Sequence, residues 1–263
     1  MAMPVALTIA GSDPSGGAGI QADLKTFHQF GVYGEAAVTL ITVQNSQGVE
    51  RVEYLAADLV AAQVRAVVED IPPAAAKTGA LGTREVIEAV AEIAAEFRFP
   101  LVIDPVLFSK NGTALLAPDA LEAFQTRLLC QAFLLTPNLQ EAATLSGLAV
   151  CDASGMRRAA EKLAFMGARS VLVKGGHLAG DAVDVLFSDG QWLEFPAPRI
   201  ATRHTHGTGC TFSAAITASL AAGNDLRASV AKAKQYISDA IRNSPELGRG
   251  AGPVNHHAGS AKK

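Results

Sequence analysis

Apolar residues in this chain fall into short runs, separated by longer stretches in which they recur every three or four positions. Residues 5–10 (VALTIA) form the first run, closed by Gly11. Residues 36–43 (AAVTLITV) form a second, rich enough in β-branched side chains to predict a strand buried on both faces. Shorter runs at residues 101–104, 132–135 and 171–173 predict further strands, ending at Asp104, at Thr136-Pro137-Asn138 and at Lys174-Gly175-Gly176. Helical spacing fills the intervals. One helix is predicted from Ile20 and closed by Gly31. A second carries Val60, Val64, Val67, Val68 and Ile71, with Pro72-Pro73 as a hard stop. Val86, Ile87, Val90 and Ile93 mark a third. Phe212, Ile216 and Leu220 repeat every four residues before Gly223, which predicts a helix over residues 209–222.

Strands alternating with helices specify an α/β fold, a mostly parallel sheet covered by helices on both faces. No repeat, low-complexity block or linker divides the chain. We therefore expect one domain over residues 1–254, followed by a flexible tail at residues 255–263 (NHHAGSAKK). In such sheets ligands gather at the carboxyl ends of the strands, so Asp104, Asn138 and Lys174 are expected on one edge.

Composition narrows the function classes. The chain has 263 residues, 49% hydrophobic and 18% charged, which is enough for a substantial core. Its formal charge of -3 leaves no electrostatic footprint for nucleic acid or an anionic membrane. No basic segment precedes the first apolar run, and no apolar stretch reaches the roughly 18 residues of a membrane span. The three cysteines, Cys130, Cys151 and Cys210, are odd in number and unpatterned, which suggests neither disulfides nor a zinc site. A cytoplasmic setting is expected.

Candidate chemistry starts at residues 204–215, HTHGTGCTFSAA. Gly207-Thr208-Gly209 opens the last predicted helix, whose first N–H groups have no intrahelical acceptor and whose dipole is positive there. Glycines let a ligand approach the backbone, so the turn is suited to phosphate. Cys210 at that position is expected to have a depressed pKa and to serve as base or nucleophile. The alternative is a glycine turn with a small buried cysteine. The loop from Gly11 to Gly19 (GSDPSGGAG) also joins a strand to a helix, but matches neither the P-loop nor the dinucleotide fingerprint. Lys174 is either a phosphate ligand or a solvated loop lysine. Asp104 and Glu141 are hard oxygen donors of the kind that hold Mg²⁺ through water and phosphate. On spacing alone, however, Asn138 and Glu141 read better as a helix cap. His204, His206, His256 and His257 lack a zinc-protease spacing. Asp23 in the first helix and Gln44 at the end of a strand are polar groups in apolar settings, and Gln44 could read the edge of a heterocycle.

In order along the chain, ALTIAGSDPSGGAGIQADLKTF, TPNLQEA, VLVKGGH, THGTGCTFSAAI and GPVNHH resemble the ribokinase superfamily. Within it they are most similar to the hydroxymethylpyrimidine kinase/phosphomethylpyrimidine kinase family of thiamine biosynthesis. The resemblance implies a ribokinase-like fold, a homodimer, ATP and Mg²⁺, and a small hydroxymethylpyrimidine substrate. It implies Cys210 as catalytic base and the amides of Gly207, Thr208, Gly209 and Cys210 as an anion hole. Asn138, Lys174 and Thr205 would serve ATP, while Asp104 and Glu141 would lie near the metal. Gly11, Asp23, Gln44 and Ala80 would surround the pyrimidine. Ala80, in KTGAL, stands where the family leads us to expect a bulkier apolar side chain, which implies a roomier pocket. Two rival readings follow: a pyridoxal or pyridoxine kinase of the same superfamily, and a non-catalytic ligand sensor that keeps the pocket.

Overall fold

The computed structural model describes residues 3–109, 112, 114–176 and 180–259. Its strands are β1 (Val5–Ser12), β2 (Tyr33–Asn45), β3 (Gly48–Tyr54), β4 (Ala75–Thr78), β5 (Leu101–Ile103), β6 (Leu134–Leu135), β7 (Ser170–Val173), β8 (Asp184–Ser188) and β9 (Gln191–Phe195). The helices are α1 (Gly19–Gln29), α2 (Ala57–Asp70), α3 (Arg84–Ala94), α4 (Ala120–Ala123), α5 (Leu139–Ser146), α6 (Ala153–Phe165), α7 (Thr208–Ala221) and α8 (Leu226–Arg242).

All nine strands join one sheet in the order β3-β2-β1-β4-β5-β6-β7-β8-β9. From β2 through β7 neighbours run parallel, while β3, β8 and β9 add antiparallel strands at the two edges. The pleat divides the core. Leu7 and Ile9 of β1 face a cluster built with α2, α3, α5 and α6, whereas Ala6 faces one built with α1, α7 and α8. The expected fold, helices on both faces of a mostly parallel sheet, is therefore observed. No helix among the described residues is long and apolar enough to cross a membrane.

Helix α7 lies at the centre of its layer, and every residue from Thr211 to Ala221 is buried. A helix wrapped in protein on all sides needs apolar or small residues all round. Here Ala, Ser and Thr supply them, and the Thr217 hydroxyl donates back to the Ser213 carbonyl.

The sequence reading missed four strands. β4 (AAKT) is too short and carries a lysine. β3 (GVERVEY) is a polar edge, with Arg51 and Glu53 paired across its exposed face. β8 and β9 form a hairpin whose two turn residues, Asp189 (φ 50°) and Gly190 (φ 72°), take the left-handed backbone that an Asp-Gly turn favours. The tail also begins later than expected. The Asn255 amide donates to the Ala240 carbonyl, His256 reaches Thr211 through Nε2, and the Tyr236 hydroxyl donates to the His256 carbonyl. Residues 255–259 are therefore packed against α7 and α8, while residues 260–263 lie outside the described residues.

Candidate active site

Strand order reverses at β1: β2, the next strand in the chain, lies on one side of it, and β4, reached from β3 through α2, lies on the other. Loops leaving such a switch point diverge and open a crevice. A cavity of about 800 Å³ lies there. Twelve of the thirteen site residues proposed from sequence line it: Gly11, Gln44, Ala80, Asp104, Asn138, Glu141, Lys174, Thr205, Gly207, Thr208, Gly209 and Cys210.

Asp23 is the exception and a correction. Its side chain is wholly buried beneath the cavity floor, with Oδ2 held by Lys77 Nζ at 2.8 Å and by the Thr8 hydroxyl at 2.6 Å. It cannot touch a substrate because the chain closes over it. Lys77 does line the cavity, and sequence reading passed over it. A lysine inside the apolar AAKT run was the available signal, since lysine is almost never fully buried unless paired.

Two glycine loops meet at the N-terminus of α7. Gly207 (φ 75°) is the N-cap of α7 and provides no side-chain cap; the Thr208 amide, expected in the anion hole, instead donates back to the Thr205 carbonyl at 3.3 Å, which leaves the next amides of the turn to face a ligand. A Cβ on Gly207 would lie 1.7 Å from the Gly17 carbonyl oxygen, so this loop and the N-terminal glycine loop pack backbone on backbone. Lys174 Nζ pairs with Asp104 Oδ1 at 2.9 Å, and a Cβ on Gly209 would lie only 3.4 Å from that ammonium. Burial opposes the Lys174 charge, but Asp104 and Glu141 outweigh it and hold the ammonium above its ordinary value. A fixed cation thus stands beside a helix N-terminus.

Cys210 sits half-buried in the first turn of α7. The expectation of a depressed pKa is overturned: burial pushes the thiol up to about 12, against the pull of Lys77 and of the Gly19 amide directed at the sulfur. Asp23 and Asp104 add to the upward shift. Desolvation, the largest effect, defeats the pull of the helix N-terminus here.

The helix-cap reading of Asn138 and Glu141 holds. The Asn138 side chain accepts from the Glu141 amide at 2.9 Å, and Glu141 Oε2 accepts from the Asn138 amide at 2.8 Å. Burial, with Asp104 nearby, raises the Glu141 carboxyl above its ordinary value despite Lys174. Among the described residues no cluster of three or more His, Cys, Asp or Glu side chains could hold a metal directly.

At the far end, β2 runs past its last pairing with β1, Ser12 with Ile41, and continues paired only with β3. That overhang carries Gln44 over the cavity. Gln44 Nε2 lies 3.2 Å from His206 Nε2, which in turn lies 2.7 Å from Asp13 Oδ2. Asp13 also accepts from the Ser15 and Ala18 amides. Neither Asp13 nor His206 was assigned a role from sequence, although both lie in the two motifs that point to the site. Ala80 packs with Leu40 and Leu115 in the cavity wall.

The Phosphomethylpyrimidine kinase family model matches residues 13–255, a span from the first glycine loop to the packed end of the chain. The chain belongs to this family. Its enzymes are kinases, and this chain is one. A hydroxymethylpyrimidine/phosphomethylpyrimidine kinase from Streptomyces coelicolor is 50% identical over 96% of the chain and 94% of its own length. Among solved structures, an ADP complex of Bacillus subtilis pyridoxal kinase superposes with TM-score 0.90 at 40% identity, covering 98% of both chains. A phosphomethylpyrimidine kinase from Clostridium difficile gives TM-score 0.81 at 42% identity, covering 90% of this chain and 99% of that one. The fold agrees with this membership.

Proposed function

We propose that this kinase transfers the γ-phosphoryl group of ATP to the hydroxymethyl oxygen of 4-amino-5-hydroxymethyl-2-methylpyrimidine. It then phosphorylates the resulting monophosphate, giving the diphosphate for thiamine biosynthesis. One observation carries the reading: a single cavity is lined by a helix N-terminus without a side-chain cap, by a paired lysine and by the Gln44 amide.

In this reading the amides of Gly209 and Cys210 and the Lys174 ammonium receive the phosphoryl oxygens. Phosphoryl transfer depends mainly on positioning and charge stabilisation, so these groups supply most of the rate. The substrate oxygen bonds to phosphorus as the bond to the departing ADP oxygen breaks, and the hydroxyl proton leaves late, to an oxygen of the transferred phosphoryl group and then to water. A thiol near 12 is protonated at neutral pH, so Cys210 orients the hydroxyl rather than withdrawing its proton beforehand. Asp104 and Glu141 are occupied by Lys174 and by backbone amides, which fits Mg²⁺ held through water and phosphate but not a protein cage. When bound, the ion supplies charge neutralisation between the phosphates. A homodimer is part of the proposal, with Ile41 and Val43, about half exposed on the outer face of β2, as the apolar surface to be covered.

A second reading, pyridoxal phosphorylation, is favoured by the small Ala80 wall and the likeness to a pyridoxal kinase. A coupled ADP-release assay with the pyrimidine alcohol, its monophosphate and pyridoxal separates the two. Turnover of both pyrimidines supports the proposal, and turnover of pyridoxal alone defeats it. Cys210→Ala should lower kcat about tenfold with the ATP KM unchanged, below the roughly 10²- to 10⁴-fold of a general base. A loss near 10⁴-fold would reinstate Cys210 as the base.

A further inference from the structure

Asp13, His206 and Gln44 lie in a row at the cavity mouth, and their chemistry admits only one ordering. Hydrogen bonds from His206 and Ser15 outweigh burial and hold the Asp13 carboxyl below its ordinary value, so it is an ionised acceptor. At 2.7 Å from that carboxylate, His206 Nε2 must carry a proton. A nitrogen that is donating has no lone pair left for the Gln44 amide nitrogen 3.2 Å away, and two N–H groups facing each other repel. A half-turn of the amide leaves its shape unchanged and places Oε1 against His206 instead.

We infer that His206, anchored by Asp13, is a specificity-determining positioning residue. Its single Nε2–H, given mainly to Asp13 at 2.7 Å and shared with the amide atom at 3.2 Å, fixes the Gln44 amide with its oxygen toward the imidazole and its NH₂ toward the ligand. That oxygen retains a second lone pair, so Gln44 then reads a heteroaromatic edge bearing a ring-nitrogen acceptor beside an exocyclic amine donor. The inference deepens the proposed pyrimidine function and rests on it.

The imidazole has little freedom to do anything else. The His206 amide donates to the Gly252 carbonyl at 3.0 Å, and its carbonyl accepts from the Val254 amide at 3.4 Å. A Cβ on Gly17 would come within 2.5 Å of His206 Cδ2, so the ring fills space that only glycine leaves open. Asp13 is held just as firmly, with Oδ1 taking the Ser15 amide at 2.8 Å and Oδ2 the Ala18 amide at 2.8 Å. Orientation therefore passes from the rigid glycine loop through the imidazole to Gln44.

The test pairs kinetics with spectroscopy. His206→Phe keeps a flat ring but removes the N–H, and should raise the KM for the pyrimidine alcohol about tenfold, a difference of about 1.4 kcal/mol. The ATP KM should stay within about twofold, and the preference for the pyrimidine over pyridoxal should fall by a similar factor of about ten. His206→Gln, which can still present an N–H, should restore most of the loss. A parallel rise in every KM, or no rescue by His206→Gln, would overturn the inference as a merely structural effect. Independently of any substrate, long-range ¹H–¹⁵N correlation on the unmodified protein should show the proton on His206 Nε2. A bare Nε2 there defeats the ordering even if the pyrimidines are turned over. A protonated Nε2 with no pyrimidine turnover would uphold the anchoring of Gln44 and refute the assigned substrate.

Discussion

Two lysine–carboxylate pairs stand at the same end of the sheet, and they differ in one respect. Lys77 and Asp23 are both fully buried, 2.8 Å apart, whereas Lys174 and Asp104 are 2.9 Å apart with the lysine side chain 14% exposed to the cavity. In the first pair burial opposes the Lys77 charge and the Asp23 carboxylate restores it, although Asp23 Oδ1 is left buried without a hydrogen-bond partner. In the second the ammonium also reaches the edge of an uncapped helix N-terminus at Gly209. The same two residue types thus make a buried strut in one place and a cation beside a helix N-terminus in the other. Solvent access separates them.

The largest expected effect comes from breaking the sealed pair. Lys77→Met leaves Asp23 buried without a partner and should cost about 3–5 kcal/mol of folding free energy, read from urea denaturation. Adding Asp23→Leu should recover most of that loss, because two apolar side chains can replace a buried ion pair. If the double variant is no more stable than the single one, the pair is not the self-contained strut described.

Lys174→Met should add a catalytic loss to a structural one. Its stability should fall by about 1–3 kcal/mol, less than for Lys77→Met, because the buried Asp104 keeps the Thr136 and Ser213 hydroxyls as donors. Its kcat should fall about 10²- to 10³-fold, comparable to losing one transition-state contact. Near-normal turnover would place phosphate recognition elsewhere in the cavity.

The smallest effect comes from a buried carboxylate that has no lysine at all. Burial, with Asp70 nearby, raises Glu35 on β2 to about 7, and its Oε2 has no hydrogen-bond partner. A carboxyl whose pKa is higher folded than unfolded favours the folded state only while protonated. Its contribution is therefore present below about 4.5 and is lost as pH rises from there to about 7. Glu35→Gln should accordingly raise the denaturation midpoint at pH 8, by about 1 kcal/mol in stability, and leave it unchanged at pH 4. An equal gain at both pH values would mean that titration is not the cause.

Much of this was legible before any coordinates. The parallel strands ending at Gly11, Asp104 and Lys174, and the helix opening at Gly209, follow from apolar spacing and turn residues, which act within a few positions along the chain. The choice between cap and metal ligand at Asn138 and Glu141 was also local, and the spacing favoured the cap that is observed. β3, β8 and β9 escaped because edge strands can be polar on an exposed face, and β4 because a lysine interrupts it.

What the sequence determined by itself was the alternation of elements, the glycines that allow close backbone approach, and the edge on which the reactive groups gather. Tertiary structure alone decided the state and partners of those groups. Cys210 is pushed up rather than down because the fold buries it, with Asp23 and Asp104, distant in sequence, adding to the shift. Asp23 is withdrawn from the substrate because Lys77, 54 positions away, claims it. His206 meets Asp13 across 193 positions because Gly207 can pack against the Gly17 carbonyl. Helix and strand signals are short-range and survive in one dimension. Desolvation and charge pairing depend on which groups the fold brings within a few ångströms, and no local pattern carries that information.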